Sequence, residues 1–556
     1  MTAPLSSQGP EASQPSNARR SFLFFLGIFG FLWFWKIRAS LSPFNLGIDG
    51  SFYTDIAMHV RDGRGLFTDV SLYHKGFTTF PHKSSIYPVW PLVYGWLSRF
   101  IHWRLVAIWV PTIGYFATLL FAYLWGRKLT ARDLFPTLLR GFGLGHLTVL
   151  IFGLHTEFFE FTTRPYTEGL AYAFVMLALW RSVPILRAPD LRGGLELGLW
   201  MTLAFMTRSQ LFLAVIAFVL VMLWMVCVAA RRRAVVACLL GALAVFSGAA
   251  LWQYAYCRDA FAEWPFLALK FHNARESGVL SHVEMVIPFA SLQERALDVL
   301  SGFAVAFAWE GKYAYSRSFH LFQYAALAVL PWLLWDLVRS LRDSAARSRA
   351  LTWLRSPESA PWIFVALLSL GGFLSIYLFH KQYFAPWNFA RRHGVIAGLF
   401  FALCFYRLCR DASALRGALA LAILVASAYL GTMHGIRPMV HNLEGPYVRQ
   451  EVPYPDLVNW LQRKADEENG ITVALVAHRP QEIAPFTDNI GYHWIYELTT
   501  PQDVLKIFRK LDADFLIVPK WSEKWMYRDI AGGMKKHFKK VRTLAACEIY
   551  EYRERR

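Results

Sequence analysis

The stretch LELGLWMTLAFMTRSQLFLAVIAFVLVMLWMVCVAA, Leu195–Ala230, decides how this chain is threaded. A helix needs only about 20 residues to cross the hydrocarbon core of a bilayer, so this run is too long for one crossing. It is also interrupted at Thr207-Arg208-Ser209-Gln210, four residues that an apolar helix does not bury without reason. A short helix, a polar break and a full helix fit it best. Counting outward, apolar runs recur at 21–35, 104–126, 140–157, 165–184, 234–254, 319–340, 361–380, 393–409 and 416–436. With the divided stretch at 195–207 and 209–230, they predict about eleven transmembrane helices. The basic clusters set the same count. With the N-terminus inside, Arg127/Lys128/Arg132, Arg187/Arg192, Arg231–Arg233, Arg339–Arg355 and Arg407/Arg410 all fall on the cytoplasmic side, as positive charge prefers. Treating 195–230 as one crossing would turn Arg231–Arg233 and the Arg339–Arg355 cluster outward. A further re-entrant or interfacial helix is expected over 292–309.

Composition agrees. The 556 residues are 55% hydrophobic, 16% aromatic and 17% charged, against roughly 25% charged for a soluble protein. That excludes a disordered chain and leaves too little polar surface for several soluble domains. The formal charge of +19 lies mostly in short clusters between apolar runs, so nucleic acid is not the expected partner. Six cysteines without a CxxC pair give neither a disulfide framework nor a thiolate metal site. Residues 1–18 read as a disordered cytoplasmic tail, 19–436 as the transmembrane domain with a large first external loop at 39–103, and 437–556 as a small external α/β domain. The apolar run after Arg19-Arg20 is followed by Lys36 and Arg38 and by no small-residue cleavage site, which predicts an uncleaved first span.

Three outward regions collect charge. The first loop opens Ile48-Asp49-Gly50-Ser51-Phe52-Tyr53-Thr54-Asp55, placing Asp49 where bilayer meets water. A carboxylate there can take a proton from an acceptor hydroxyl; it can equally be a solvated acid capping an interfacial helix. The loop after the third span carries Glu157, Glu160, Arg164 and Glu168, the last opening an apolar helix. Ionisable groups so placed are costly and tend to face a cavity. Finally, Arg208 sits in the polar break, and Lys381, Arg391, Arg392 and His393 bracket a later outward loop. Guanidinium suits phosphate oxygens, although contact with lipid headgroups accounts for such residues equally well. No P-loop, GxGxxG or HExxH is present, and the external histidines, His59 and His82 among them, show no metal-ligand spacing.

In order and topological side, these motifs resemble the GT-C membrane glycosyltransferases, especially bacterial relatives of the protein O-mannosyltransferases and of the lipid A aminoarabinose transferase. The resemblance rests on Ile48–Tyr53, on Ser85–Pro91, on Arg164-Pro165-Tyr166-Thr167-Glu168-Gly169, on Leu203–Leu211 and on Arg391-Arg392-His393. It implies a polyprenyl-monophosphate-linked sugar donor, a lipid, glycan or protein acceptor, and inverting transfer. The implied roles are Asp49 as base, Glu157 or Glu160 as second-loop acid, and Arg208 with Arg391, Arg392 and Lys381 on the donor phosphate. Asp55, Arg164, Glu168 and His393 are pocket candidates. Many relatives follow the first Asp with a second acid; here Gly50 follows. Divalent metal use varies in the superfamily, and no ligand set is implied. The expected place is a bacterial inner membrane, with the site and C-terminal domain on the non-cytoplasmic side. A transporter or lipid flippase is the rival class. It calls for paired broken helices in two related halves, and one broken pair occurs.

Overall fold

The computed structural model describes residues 15–261 apart from 43–45, 73–79, 85–86, 209–210 and 230, and then 342–379, 414–443, 454–476, 482–495, 512–520 and 536–553 with scattered positions between. Of the expected tail at 1–18, residues 1–14 lie outside the described residues and 15–18 are helical. The segment 292–309 and most of 319–340 also lie outside, whereas most of 393–409 is described and is helical there.

The described chain is mostly helical. Among the described residues five helices are long and apolar enough to cross a membrane. They include α1 (Pro15–Ser40), α4 (Trp103–Leu129), α7 (Glu168–Arg187) and α10 (Arg232–Phe261). The polar break in Leu195–Ala230 is real: α8 (Leu191–Thr207) ends at Arg208, whose backbone is extended, and α9 starts at Phe212 and runs to Val228. Between α1 and α4 lie α2 (Gly47–Arg61) and α3 (Val89–Leu97). The run 140–157, expected as one span, is divided. Residues Leu139–Gly143 form strand β5, paired in a hairpin with β4 (Asp133–Phe135). They are followed by α5 (Leu144–Gly153) and the short α6 (Thr156–Phe161). A ten-residue helix such as α5 rises only about 15 Å, half the hydrocarbon core. His155 between the two caps α6, its Nδ1 accepting from the amide of Phe158 at 3.2 Å. The local capping bond wins over the continuous apolar pattern.

Small residues let the helices close on one another where no water drives association. Gly114 of α4 meets the backbone of Gly169 in α7, and Gly194 and Gly198 of α8 meet α10 at Cys238 and Ala242. Large apolar side chains such as Phe31, Ile113, Leu220 and Leu240 stay exposed on the outside of the bundle, as a lipid-facing surface requires.

Tertiary bonds fix which helix ends share a face. His146 on α5 donates to Ser21 O near the start of α1 at 2.7 Å. Thr130, the C-cap of α4, bonds Tyr406 at 2.9 Å. Arg187 at the end of α7 pairs with Glu358 at 2.9 Å, just before α12 (Ala360–Phe379), which follows α11 (Ser344–Leu354). The basic clusters around 127–132, 187–192 and 355 therefore lie at one end of the bundle. The end of α1, α2, α3, α6 and Arg208 lie at the other.

At that second end sits a six-stranded sheet in the order β2-β7-β6-β8-β10-β9. Five strands come from the C-terminal residues: β6 (Ile471–Val476), β7 (Ile490–Ile495), β8 (Phe515–Pro519), β9 (Phe538–Thr543) and β10 (Cys547–Tyr552). The edge strand β2 (Val70–Leu72) comes from the first loop and runs parallel to β7, Val70 opposite Tyr492. Of that loop's other two strands, β1 (Phe67–Thr68) and β3 (His82–Lys83), the pair forms a separate two-stranded ladder. Before the C-terminal strands, α13 (Ala414–Leu430) runs on through a π-helical turn to Leu443. The amphipathic α14 (Pro455–Glu468) then covers the sheet through Leu457, Trp460 and Leu461 against Val473 and Phe515.

Candidate functional site

The site is built on the start of α2. Gly47 has φ +64°, in the left-handed region that glycine enters without strain. A Cβ there would run into the hydroxyl of Tyr166, and a Cβ at Gly50 would lie 2.8 Å from the Pro165 ring. The first turn of α2 is thus pressed directly on Arg164-Pro165-Tyr166. Asp49 stands between these two glycines, half-buried in that turn, where the helix N-terminus favours negative charge. Gly50, the departure from the resembling family, is explained by the same packing: no side chain fits against Pro165.

The other side of the segment is held by α3. The buried Trp90 indole donates to Pro165 O at 2.9 Å. From there Arg164 reaches back along the chain to Glu160, Nη2 to Oε1 at 2.9 Å, with the acid almost fully buried. Glu157, in the first turn of α6, is also buried. Glu160 and the Asp49 turn therefore share the Arg164–Tyr166 segment as a common wall.

Four residues beyond Arg164, Glu168 opens α7 and receives Arg208 from the broken helix. Arg208 Nη1 lies 2.7 Å from Glu168 Oε1 and 3.1 Å from Thr167 Oγ1, with both charged side chains buried. Arg208 Nε is buried and makes no hydrogen bond among the described residues. Arg208 is thus a buried, half-used cation. Lys381, Arg391, Arg392 and His393 lie outside the described residues.

Asp55, a pocket candidate from sequence, is directed elsewhere. Its Oδ2 accepts from Thr68 Oγ1 at 2.5 Å and from the Asp69 amide at 3.1 Å. One turn on, His59 Nε2 lies 3.1 Å from Asp69 Oδ2. Burial, and then the charge of Asp69, push the Asp55 carboxyl up to about 7. For His59, burial opposes the charged form, yet the Asp69 hydrogen bond and the charges of Asp55 and Asp69 hold its pKa above the ordinary value. Asp55, His59 and Asp69 are the group of described side chains whose ligand atoms, all within 4.8 Å of one another, could hold a metal ion. Their hydrogen bonds to one another and to Thr68 already satisfy much of that capacity. The Asp55–His59 spacing of one helical turn was the available signal for this cluster. Asp69 could not be paired with it from sequence, because a turn of unreadable geometry intervenes. Sequence reasoning also missed Lys36, which lies under α6, fully buried.

No family model matches the sequence, and no curated protein does. Solved structures match its fold. The oligosaccharyltransferase of Archaeoglobus fulgidus, tethered with an acceptor peptide containing the NVT sequon, superposes with a TM-score of 0.53 at 12% identity, over 91% of this chain and 70% of that one. AglB from Archaeoglobus fulgidus, in complex with an inhibitory peptide and a dolichol-phosphate, gives 0.50 at 13% identity over 91% and 70%. A weaker likeness, TM-score 0.39 at 12% identity over 95% and 97%, extends to ArnT from Cupriavidus metallidurans bound to undecaprenyl phosphate. The oligosaccharyltransferase likeness, at 12% and 13% identity, shows the fold of the chain and the fold alone.

Proposed function

We propose that this protein is an inverting glycosyltransferase that moves a sugar from a polyprenyl-phosphate carrier to an acceptor hydroxyl on the non-cytoplasmic side of a bacterial inner membrane. The observation that carries the proposal is the seating of the Asp49 turn on Arg164-Pro165-Tyr166. It brings a half-buried acid against the loop that holds Glu157, Glu160 and Glu168, at the end of the bundle where Arg208 lies. A lipid-linked sugar cannot leave the bilayer, so a site of this kind has to sit at the membrane edge.

Displacement at the anomeric carbon needs a base for the incoming hydroxyl and positive charge for the departing phosphate. Asp49 takes the acceptor proton. Glu157 and Glu160 line the acceptor side, with Arg164 balancing Glu160. Arg208 still has its Nε to offer to a phosphate oxygen and completes the clamp with Arg391, Arg392 and Lys381. The C-terminal residues, joined to the first loop through β2, form an external α/β domain that stands over the acceptor side. Where a divalent cation is used, Asp55, His59 and Asp69 would supply a mixed carboxylate and imidazole donor set, suited to a first-row transition ion, and no step above depends on one.

The decisive experiment incubates purified protein with a radiolabelled polyprenyl-monophosphate sugar and measures release of polyprenyl phosphate. Release that depends on Asp49 supports the reading. No release from any donor across a panel of sugars rejects it.

A further inference from the structure

Lys36 is the deepest charge in the described helices. It lies one turn before the end of α1 and has no exposed surface. Its ammonium donates to Phe159 O at 2.7 Å and to Thr162 Oγ1 at 2.6 Å. It also sits over the rings of Phe159 and Tyr115, 4.7 and 4.9 Å from their centroids. No carboxylate pairs with it among the described residues. Burying an ammonium in this way is costly, and a matched apolar side chain would be as stable or more stable. Nor is the lysine needed to satisfy the backbone beneath it: Phe158 O already accepts from the Thr162 amide at 3.2 Å, which leaves the single proton of the Thr162 hydroxyl for Phe159 O at 3.0 Å. Stability alone does not account for a lysine here.

Its position does. Phe159 and Thr162 bracket Glu160 in sequence and form the closing turn of α6, the helix whose first turn carries Glu157. Close beside this turn α1 is also joined to α4, since Ser40 bonds Thr112 at 2.9 Å. We propose that Lys36 is a positioning residue for the second-loop acids: a buried cation that pins the C-terminal turn of α6 to α1 and so fixes Glu157 and Glu160 relative to the Asp49 turn. The proposal rests on the glycosyltransferase reading. The cation gives the turn a specific, directional anchor that apolar packing cannot supply, and small displacements of catalytic groups are expensive in rate.

The test compares wild type with Lys36→Met, which keeps volume and removes charge, and Lys36→Gln, which keeps a donor. Lys36→Met should retain or gain thermal stability while kcat falls about 10- to 100-fold with KM for the lipid donor nearly unchanged, and Lys36→Gln should lie between. Hydrogen exchange at 156–163 should rise in Lys36→Met, a readout that needs no activity. Loss of stability in step with loss of kcat, or unchanged kcat with unchanged exchange, overturns the proposal. If wild type transfers nothing from any donor, the functional reading itself fails; raised exchange then marks a structural clamp only, which also overturns the positioning role.

Discussion

Glu168 and Arg208 meet at 2.7 Å with almost no solvent on either side chain. One opens α7 and the other closes α8, so the pair bolts the start of α7 to the broken helix. A charge pair so buried is seldom retained for stability, because desolvation takes back most of the Coulomb gain, while removing one partner strands the other. A phosphate at Arg208 would have Glu168 as its competitor.

That competition gives the first prediction. Arg208→Gln should weaken binding of polyprenyl phosphate, whereas Glu168→Gln should strengthen it by freeing the guanidinium. Each single change should also lower stability by about 3–5 kcal/mol, and the double variant should recover much of the loss. Binding of labelled polyprenyl phosphate, with melting in detergent, reads both. Unaltered affinity in both single variants would make the pair purely structural.

Asp49→Asn preserves shape but cannot accept a proton. Transfer should drop about 10²–10⁴-fold, with expression and melting unchanged. Asp55→Asn should be far milder in the same assay, because that carboxylate is spent on Thr68 and the Asp69 amide. The reverse ranking would place the base at Asp55.

The Asp55–His59–Asp69 cluster predicts a pH dependence. Asp55 is raised to about 7 and His59 is raised as well, so both bind protons more tightly folded than unfolded. The stability Asp55 contributes is therefore greatest in acid and is lost as pH rises from about 4 through 7, and that of His59 is lost only above its ordinary pKa of 6.5. The groups acting on Asp55 are Asp69, His59 and Thr68, and Arg64 acts on His59. The melting temperature of wild type relative to Asp55→Asn should fall between pH 5 and 8. A flat difference would show that Asp55 titrates in its ordinary range.

Threading can be checked directly. Reporter fusions at about residues 345 and 470 should report opposite sides of the membrane, with 470 outside. Identical sides would remove the eleven-crossing arrangement.

Much of this architecture was legible as hydropathy, since a lipid-exposed helix must be apolar along its length. The break at Thr207–Gln210 was readable because four consecutive polar residues are too costly to carry through the hydrocarbon core within one helix. The division of 140–157 was not, since the capping role of His155 leaves the hydropathy unchanged. Asp49, Glu160, Arg164, Glu168 and Arg208 stood out as charges in apolar surroundings. Lys36 did not, because a lysine after an apolar run looks the same whether it snorkels outward or turns into the core. Strand β2 was invisible, being three residues long and specified only by a partner near the other end of the chain.

That partner has a bearing on biosynthesis. Tyr492 N donates to Asp69 O at 2.8 Å, and Val70–Leu72 pair with Tyr492–Trp494. While the ribosome is still short of those positions, β2 is an open edge on a nascent loop, and an open edge invites pairing with other chains. Residues 70–72 are made about 420 positions before the strand that completes their edge.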